Sequence, residues 1–192
     1  MNRVSKGDHL TIHGNGGHGL VIAAACEAMG ATYEFTDKSD GTEPDGKSPY
    51  YIAIGNNKAR SLFANRIERT LFRTVVHPDA RVTASAIVLS GAYIAPLAAV
   101  NSSAVIGTGA IVNTGAIVEH HCAIYPFVHI APNATLCGAV TVGEGALVGA
   151  GATVSPGVHI APWVTIGCGA VVVEDITEPG VYVGCPAKKG TQ

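Results

Sequence analysis

From Val82 to Val172 every sixth residue is aliphatic: Val82, Val88, Ile94, Val100, Ile106, Val112, Val118, Ile124, Ile130, Leu136, Val142, Val148, Val154, Ile160, Ile166 and Val172. Four residues after each but the last comes a small apolar side chain, the series running from Ala86 through Cys122 and Val128 to Ala170. Neither a helical period of 3.6 nor sustained alternation fits this pattern. Short strands repeating every six residues mark a parallel β-helix. Branched side chains then fill a narrow prism, and small ones sit where the backbone turns. Gly107, Gly109, Gly143, Gly145, Gly149, Gly151, Gly167 and Gly169 stand near those turns, where a positive φ is expected. If three hexapeptides make one coil, residues eighteen apart stack. Ser102, His120, Gly138 and Pro156 then form one row, Gly149 lies by Gly167, and Ala150 lies by Cys168.

The first 75 or so residues have another rhythm. "HLTIHGNGGHGLVIAAACEAMG" reads as a strand, a glycine-rich turn and an Ala-rich helix. "TYEFTD" and "PYYIAIGN" read as further strands, and "NKARSLFANRIER" as a helix with Leu62, Phe63 and Ile67 on one side. The expectation is a small Rossmann-like αβ domain over residues 1–76, followed by a mainly β domain over 77–192 with a cap after Val173.

Composition narrows the function classes. Aromatics are 6% of the chain against 47% hydrophobic residues, and there are 24 glycines, which suits stacked small side chains. A net charge of −2 without a basic run argues against nucleic-acid binding. No apolar stretch reaches the roughly 20 residues of a membrane span, and the N-terminus lacks a signal-peptide core. Five scattered cysteines without a CxxC pair point to a reducing cytoplasm.

Gly14 to Gly19, "GNGGHG", fits G-x-G-x-x-G between a strand and a helix, with Asp37 at the end of the next strand. Glycines there let backbone N–H groups approach phosphate, and the acid meets a ribose hydroxyl. The unit lacks the half that cradles a nicotinamide, so another nucleotide is expected, with His18 near its diphosphate or sugar. The alternative is a tight turn without a ligand. His120, His121 and His129 cluster in "VEHHCAIYPFVHIAP". The register puts His120 at an edge outside the core and His129 on an outer face. If His120 and His121 are strand neighbours they point oppositely and share no metal within one subunit, although a subunit interface could assemble three nitrogens. Cys122 sits at a small corner position, which suits packing.

The chain resembles the bacterial sugar O/N-acetyltransferases of the PglD and NeuD type, within the hexapeptide-repeat acyltransferases. The marks are "GNGGHGLV", "YIAIGNNKAR", "VNTGAIVEHHCAI", "FVHIAP" and "GVYVGCPAK", spread over nearly the whole chain. The resemblance implies a left-handed coil, a homotrimer with active sites between neighbouring prisms, acetyl-CoA as co-substrate, and no metal. "IAIGNN" is like the PglD branch, whose members acetylate the 4-amino group of a UDP-linked deoxy sugar. Carried over by motif, His120 is the general base, and His129, Ala150 and Cys168 touch acetyl-CoA. Gly16, Gly17, His18, Asp37, Lys38 and Gly55 hold the UDP-amino sugar, and Asn113 lies near the acceptor. The family places Asp or Glu after the catalytic histidine, where a carboxylate fixes the tautomer and raises the basicity. Here that residue is His121, whose neutral imidazole could orient His120 with less electrostatic support, and Glu119 or another subunit could substitute.

An attacking amine must lose a proton, and imidazole, ordinarily titrating near about 6.5, is a suitable acceptor. Gly138, one coil from His120, could offer its N–H to the oxyanion. Rival readings are O-acetylation of a sialic-type sugar, a metal-dependent hydratase on the same prism, and a non-catalytic scaffold.

Overall fold

A computed structural model describes residues 2–37 and 47–190 of the chain. The N-terminal unit is β1 (His9–His13), α1 (Gly17–Met29), β2 (Thr32–Thr36), β3 (Tyr50–Ile52) and α2 (Asn57–Ala64). Its sheet is parallel, in the order β2-β1-β3. Leu10 and Ile12 of β1 and Ile22, Ala25 and Cys26 of α1 are fully buried, so the Ala-rich face of α1 allows close helix–sheet contact. Gly30 ends α1 in the left-handed conformation, φ 70°. Asn56 caps α2, its side chain accepting the Ala59 N–H at 2.9 Å.

The sequence predicts that helix to Arg69, but it stops at Ala64. The Arg66 and Ile67 N–H groups bond Phe63 and Ala64 three residues back, which tightens the last turn. The expected shared face is also corrected. Phe63 and Ile67 are buried, but Leu62 is 60% exposed. Leu62 lies about 100° round the helix from Phe63, on the side turned to solvent.

The β-helix starts one hexapeptide before the repeat as read, at β4 (Val75–Val76). Its three parallel sheets make a three-sided prism. Face 1 carries Val75–Val76, Tyr93–Ile94, Ile111–Val112, His129–Ile130, Leu147–Val148 and Thr165–Ile166. Face 2 runs from Arg81–Val82 to Val171–Val172, and face 3 from Ile87–Val88 to His159–Ile160. Strand partners are eighteen residues apart, as with Ile111 opposite His129. From Ile94 to Val172 the sixth-residue aliphatics are at most 2% exposed. Each contributes about 1.5–3 kcal/mol by leaving water.

At the edges one register position takes a positive φ in every turn from Gly91 to Gly169. Half of these residues are not glycine: Leu97, Ser103, His121, Phe127, Asn133, Ala139 and Trp163. Of the glycines read as turn glycines, Gly107, Gly143, Gly149 and Gly167 do not take that conformation. They are small because the next coil is close. A Cβ on Gly107 would lie 2.6 Å from the Tyr125 carbonyl carbon, and one on Gly149 2.6 Å from the Ile166 oxygen.

The cap extends face 1 with Val181–Val183, parallel to Thr165–Ile166, and turns back through Lys188–Lys189. Among the described residues no helix is long and apolar enough to cross a membrane. The N-terminal unit sits on face 1, where Leu10, Ile12, Ile22 and Tyr51 pack with Tyr93 and Ile111.

Candidate active site

In the glycine turn, Gly14 has φ 105° and touches Ala53, and Gly19 packs on the Gly14 carbonyl. Gly16, the N-cap of α1, and Gly17 have nothing within 4 Å of where a Cβ would be. Two glycines therefore make the turn compact and two leave its outer side open to a phosphate. Asp37 follows β2 directly, and its Oδ2 accepts the Asn15 N–H at 3.4 Å. Lys38 lies outside the described residues. A cleft of about 320 Å³ opens beside the turn, lined by His13, Gly14, Asp37, Leu62, Phe63 and Arg66. The His13 and Phe63 rings stack in its wall, centroids 3.8 Å apart. Gly55 follows β3, and its carbonyl accepts from Arg60 Nη1 at 3.1 Å.

Where this unit meets face 1, His18 and His129 are held uncharged. His18 is lowered to about 3 by burial, then by the Arg60 and His129 charges. His129 is lowered to about 4 by burial, then by Arg60. Asn113 Nδ2 lies 3.0 Å from His129 Nε2, an amide donor facing a ring acceptor. Tyr51 Oη is 3.4 Å from His18 Nε2.

His120 stands elsewhere, in the turn between faces 2 and 3. In a three-sided prism that edge is opposite face 1, and so opposite the N-terminal unit. His120 and His121 are turn residues and not strand neighbours, which corrects the expectation that they point apart. With His121 at φ 61°, the two Nδ1 atoms lie 3.1 Å apart. Gly138 lies one coil on, and a Cβ there would meet the His120 ring. The Ala139 N–H donates to the His120 carbonyl at 2.8 Å, which confirms the stacked row. Glu119 does not reach the His120 ring. Its carboxylate takes the His120 backbone N–H at 3.3 Å and Asn101 Nδ2 at 2.9 Å.

Ala150 and Cys168 stack on the edge between faces 1 and 2, Gly169 N–H donating to the Ala150 carbonyl at 2.9 Å. Gly151 and Gly169 beside them have nothing within 4 Å of a Cβ position. This edge offers bare backbone to a long thin ligand. The structure thus gathers Asn113 and His129, aligns Ala150 with Cys168, and gathers His120, His121 and Gly138. It does not bring these groups together within one chain.

No protein-family profile matches the chain. Solved structures do. The acetyltransferase domain of PglB from Neisseria gonorrhoeae FA1090, solved with acetyl coenzyme A, is 32% identical, with a TM-score of 0.86 over 95% of this chain and 99% of that one. GDP-perosamine N-acetyltransferase from Caulobacter crescentus, a histidine-to-alanine variant with CoA and GDP-perosamine, is 32% identical. Its TM-score is 0.90 over 96% of this chain and 97% of that one. This chain belongs to the β-helical sugar N-acetyltransferases. WeeI from Acinetobacter baumannii AYE, 20% identical with a TM-score of 0.80 over 94% of this chain and 98% of that one, shares the fold.

In this acetyltransferase the reading of residues missed a fastening between the two halves. Arg60 is 1% exposed and faces no carboxylate among the described residues. It donates to the carbonyls of Gly109, Phe127, Ile54 and Gly55 and to Asn57 Oδ1, at 2.8–3.1 Å. Asn57 Nδ2 reaches the Gly145 and Ala146 carbonyls, both at 3.1 Å. Gly109, Phe127 and Gly145 are the same corner in three successive coils, so Asn57 and Arg60 read three rungs of one edge. The motif "NNKAR" contained these residues, but their partners lie far along the chain. Tyr93 was also missed; its buried hydroxyl has no partner among the described residues. Cys122 is buried and its thiol donates to the Cys137 carbonyl at 3.1 Å, a packing role. Among the described residues no group of three or more His, Cys, Asp or Glu side chains could hold a metal ion.

Proposed function

We propose that this chain transfers the acetyl group of acetyl-CoA to the amino group, at C4, of a UDP-linked amino-deoxy sugar, with His120 as general base. Residues 1–76 hold the nucleotide sugar and residues 77–192 carry the transfer chemistry. The observation that carries this reading is the exposed imidazole of His120 on the turn beside Gly138.

The amine attacks the thioester carbonyl as His120 Nε2 takes its proton, and the tetrahedral oxyanion needs a fixed donor. The Gly138 N–H has no partner among the described residues and is free for that role. Acetyl-CoA runs along the edge of Ala150 and Cys168, with His129 at its side. The nucleotide lies on Gly16, Gly17 and His18, with Asp37 and Lys38 at the ribose and Gly55 opposite. The cleft of about 320 Å³ is large enough for the base. Asn113 approaches the acceptor sugar.

These groups occupy different sides of one prism, so a complete site takes His120 from one copy and the nucleotide unit from a neighbour. A left-handed homotrimer meets that requirement. Five free cysteines suit a reducing cytoplasm. The uridine assignment rests on the "IAIGNN" resemblance, and the perosamine enzyme, which is solved with a GDP-sugar, makes guanosine the natural comparison.

The test is thiol release from acetyl-CoA with UDP- and GDP-linked 4-amino sugars and their hydroxy counterparts. Turnover with a UDP-amino sugar is expected, and His120→Ala is expected to lower kcat by about 10²–10⁴. Near-normal turnover of that variant removes His120 from the role.

A further inference from the structure

His120 and His121 present an uncommon pair: two ring nitrogens of the same kind, Nδ1 and Nδ1, 3.1 Å apart, with ring planes at 82°. In a neutral imidazole one nitrogen carries a proton and the other a lone pair. A hydrogen bond between two Nδ1 atoms therefore holds one proton and forces opposite tautomers on the two rings. We infer that His121 is a positioning residue for the base: His120 donates Nδ1–H to His121 Nδ1, which leaves His120 Nε2 bare.

This rests on His120 being the base. That role requires this direction and not its reverse, because a base must present a lone pair at Nε2. His120 Nε2 has no hydrogen-bond partner among the described residues, and the edge of the ring that carries it faces the α-carbon of Gly138, which accepts nothing. The Gly138 carbonyl is already taken by the Gly157 N–H at 2.9 Å. Both rings are exposed, so water can take whichever Nε2–H is present, and the shared Nδ1 proton decides the tautomers. Glu119 and Asn101 do not compete, since the Glu119 carboxylate is held by the His120 backbone N–H and by Asn101. The left-handed turn at His121, φ 61°, brings its ring back onto its neighbour.

The chemistry balances without a further group. An amine N–H breaks as His120 Nε2–H and the new C–N bond form. The C–S bond then breaks, and the Nε2 proton passes to the leaving CoA thiolate while Nδ1–H stays on His121. A carboxylate at position 121 would accept the same bond and add a negative charge. The imidazole supplies the orientation alone.

The experiment is ¹⁵N NMR of the full chain with ¹⁵N-labelled histidine, above the titration of both rings, assigned with His120→Gln and His121→Gln. The expected spectrum shows His120 protonated at Nδ1 with a bare Nε2, and His121 protonated at Nε2. A His120 protonated at Nε2, or averaged between tautomers, overturns the proposal. In kinetics, His121→Glu keeps an acceptor, so kcat stays at or above that of the native chain. His121→Lys can only donate, so His120 is driven to the wrong tautomer and kcat falls by about 10²-fold or more. KM for both substrates stays within about twofold in each variant. Equal kcat in the Lys and Glu variants also overturns it. If no sugar is turned over at all, the functional reading fails while the spectrum still decides the pair.

Discussion

Gly138 packs against the working edge of His120: a Cβ at position 138 would lie 2.5 Å from Cε1 and 2.7 Å from Nε2. The ring is exposed and can swing away, so the cost of a methyl group falls on orientation and not on folding. Gly138→Ala is expected to keep the native Tm within a few degrees and to lower kcat by about 10²-fold, the scale of a small misplacement at a reacting centre. Calorimetry and thiol release on the same preparation check both halves.

Gly149 gives the opposite outcome. Its Cβ would meet backbone, with the Ile166 oxygen at 2.6 Å and the Cys168 nitrogen at 2.7 Å. Backbone in a stacked coil cannot step aside without opening the ladder. Gly149→Ala is expected to cost about 1–3 kcal/mol or more in urea unfolding.

Arg60 is a buried cation satisfied by five oxygens, none of them a carboxylate. Burial lowers its pKa to about 10, still well above neutral pH. Arg60→Met would leave the Gly109 and Phe127 carbonyls unpaired, at about 1–3 kcal/mol each. Global unfolding in urea should show a loss of about 3–5 kcal/mol, with Arg60→Lys recovering part of it.

Acid should weaken the seam between the N-terminal unit and face 1. His18 and His129 titrate at about 3 and about 4 in the fold, below the 6.5 of an unstructured histidine. Well above pH 6.5 both are neutral whether folded or not. Below it the unfolded chain binds two protons that the fold refuses, so stability falls with pH. The slope is about 2–3 kcal/mol per pH unit between pH 6 and 4. Urea titrations across that window should show it, and His18→Gln with His129→Gln should flatten it.

The stack was legible because its rule is local. Sixth-residue aliphatics such as Val112 and Ile130 meet neighbours eighteen residues away, and each coil repeats the same contact. The glycine turn was legible for the same reason, since Gly14 and Gly19 touch each other. The left-handed corner was half hidden. Side chains such as Phe127 and Trp163 occupy it as often as glycine does, while Gly107 and Gly149 answer to the coil beyond. The early end of α2 was hidden because the chain around Arg66 tightens into another kind of turn, and Leu62 because its position round the helix turns it to solvent.

By itself the sequence determined a six-residue coil, a strand–turn–helix with an open glycine rim, and an imidazole placed at a turn. Tertiary structure decided which side of the prism each feature occupies. It seated the N-terminal unit on face 1, opposite His120, through Arg60 and Asn57 contacts that span 49 to 89 residues. It also turned His121 onto His120. The physical reason is range: a repeat is a sum of identical neighbour contacts written into every hexapeptide, whereas docking depends on single hydrogen bonds between segments that no local pattern connects.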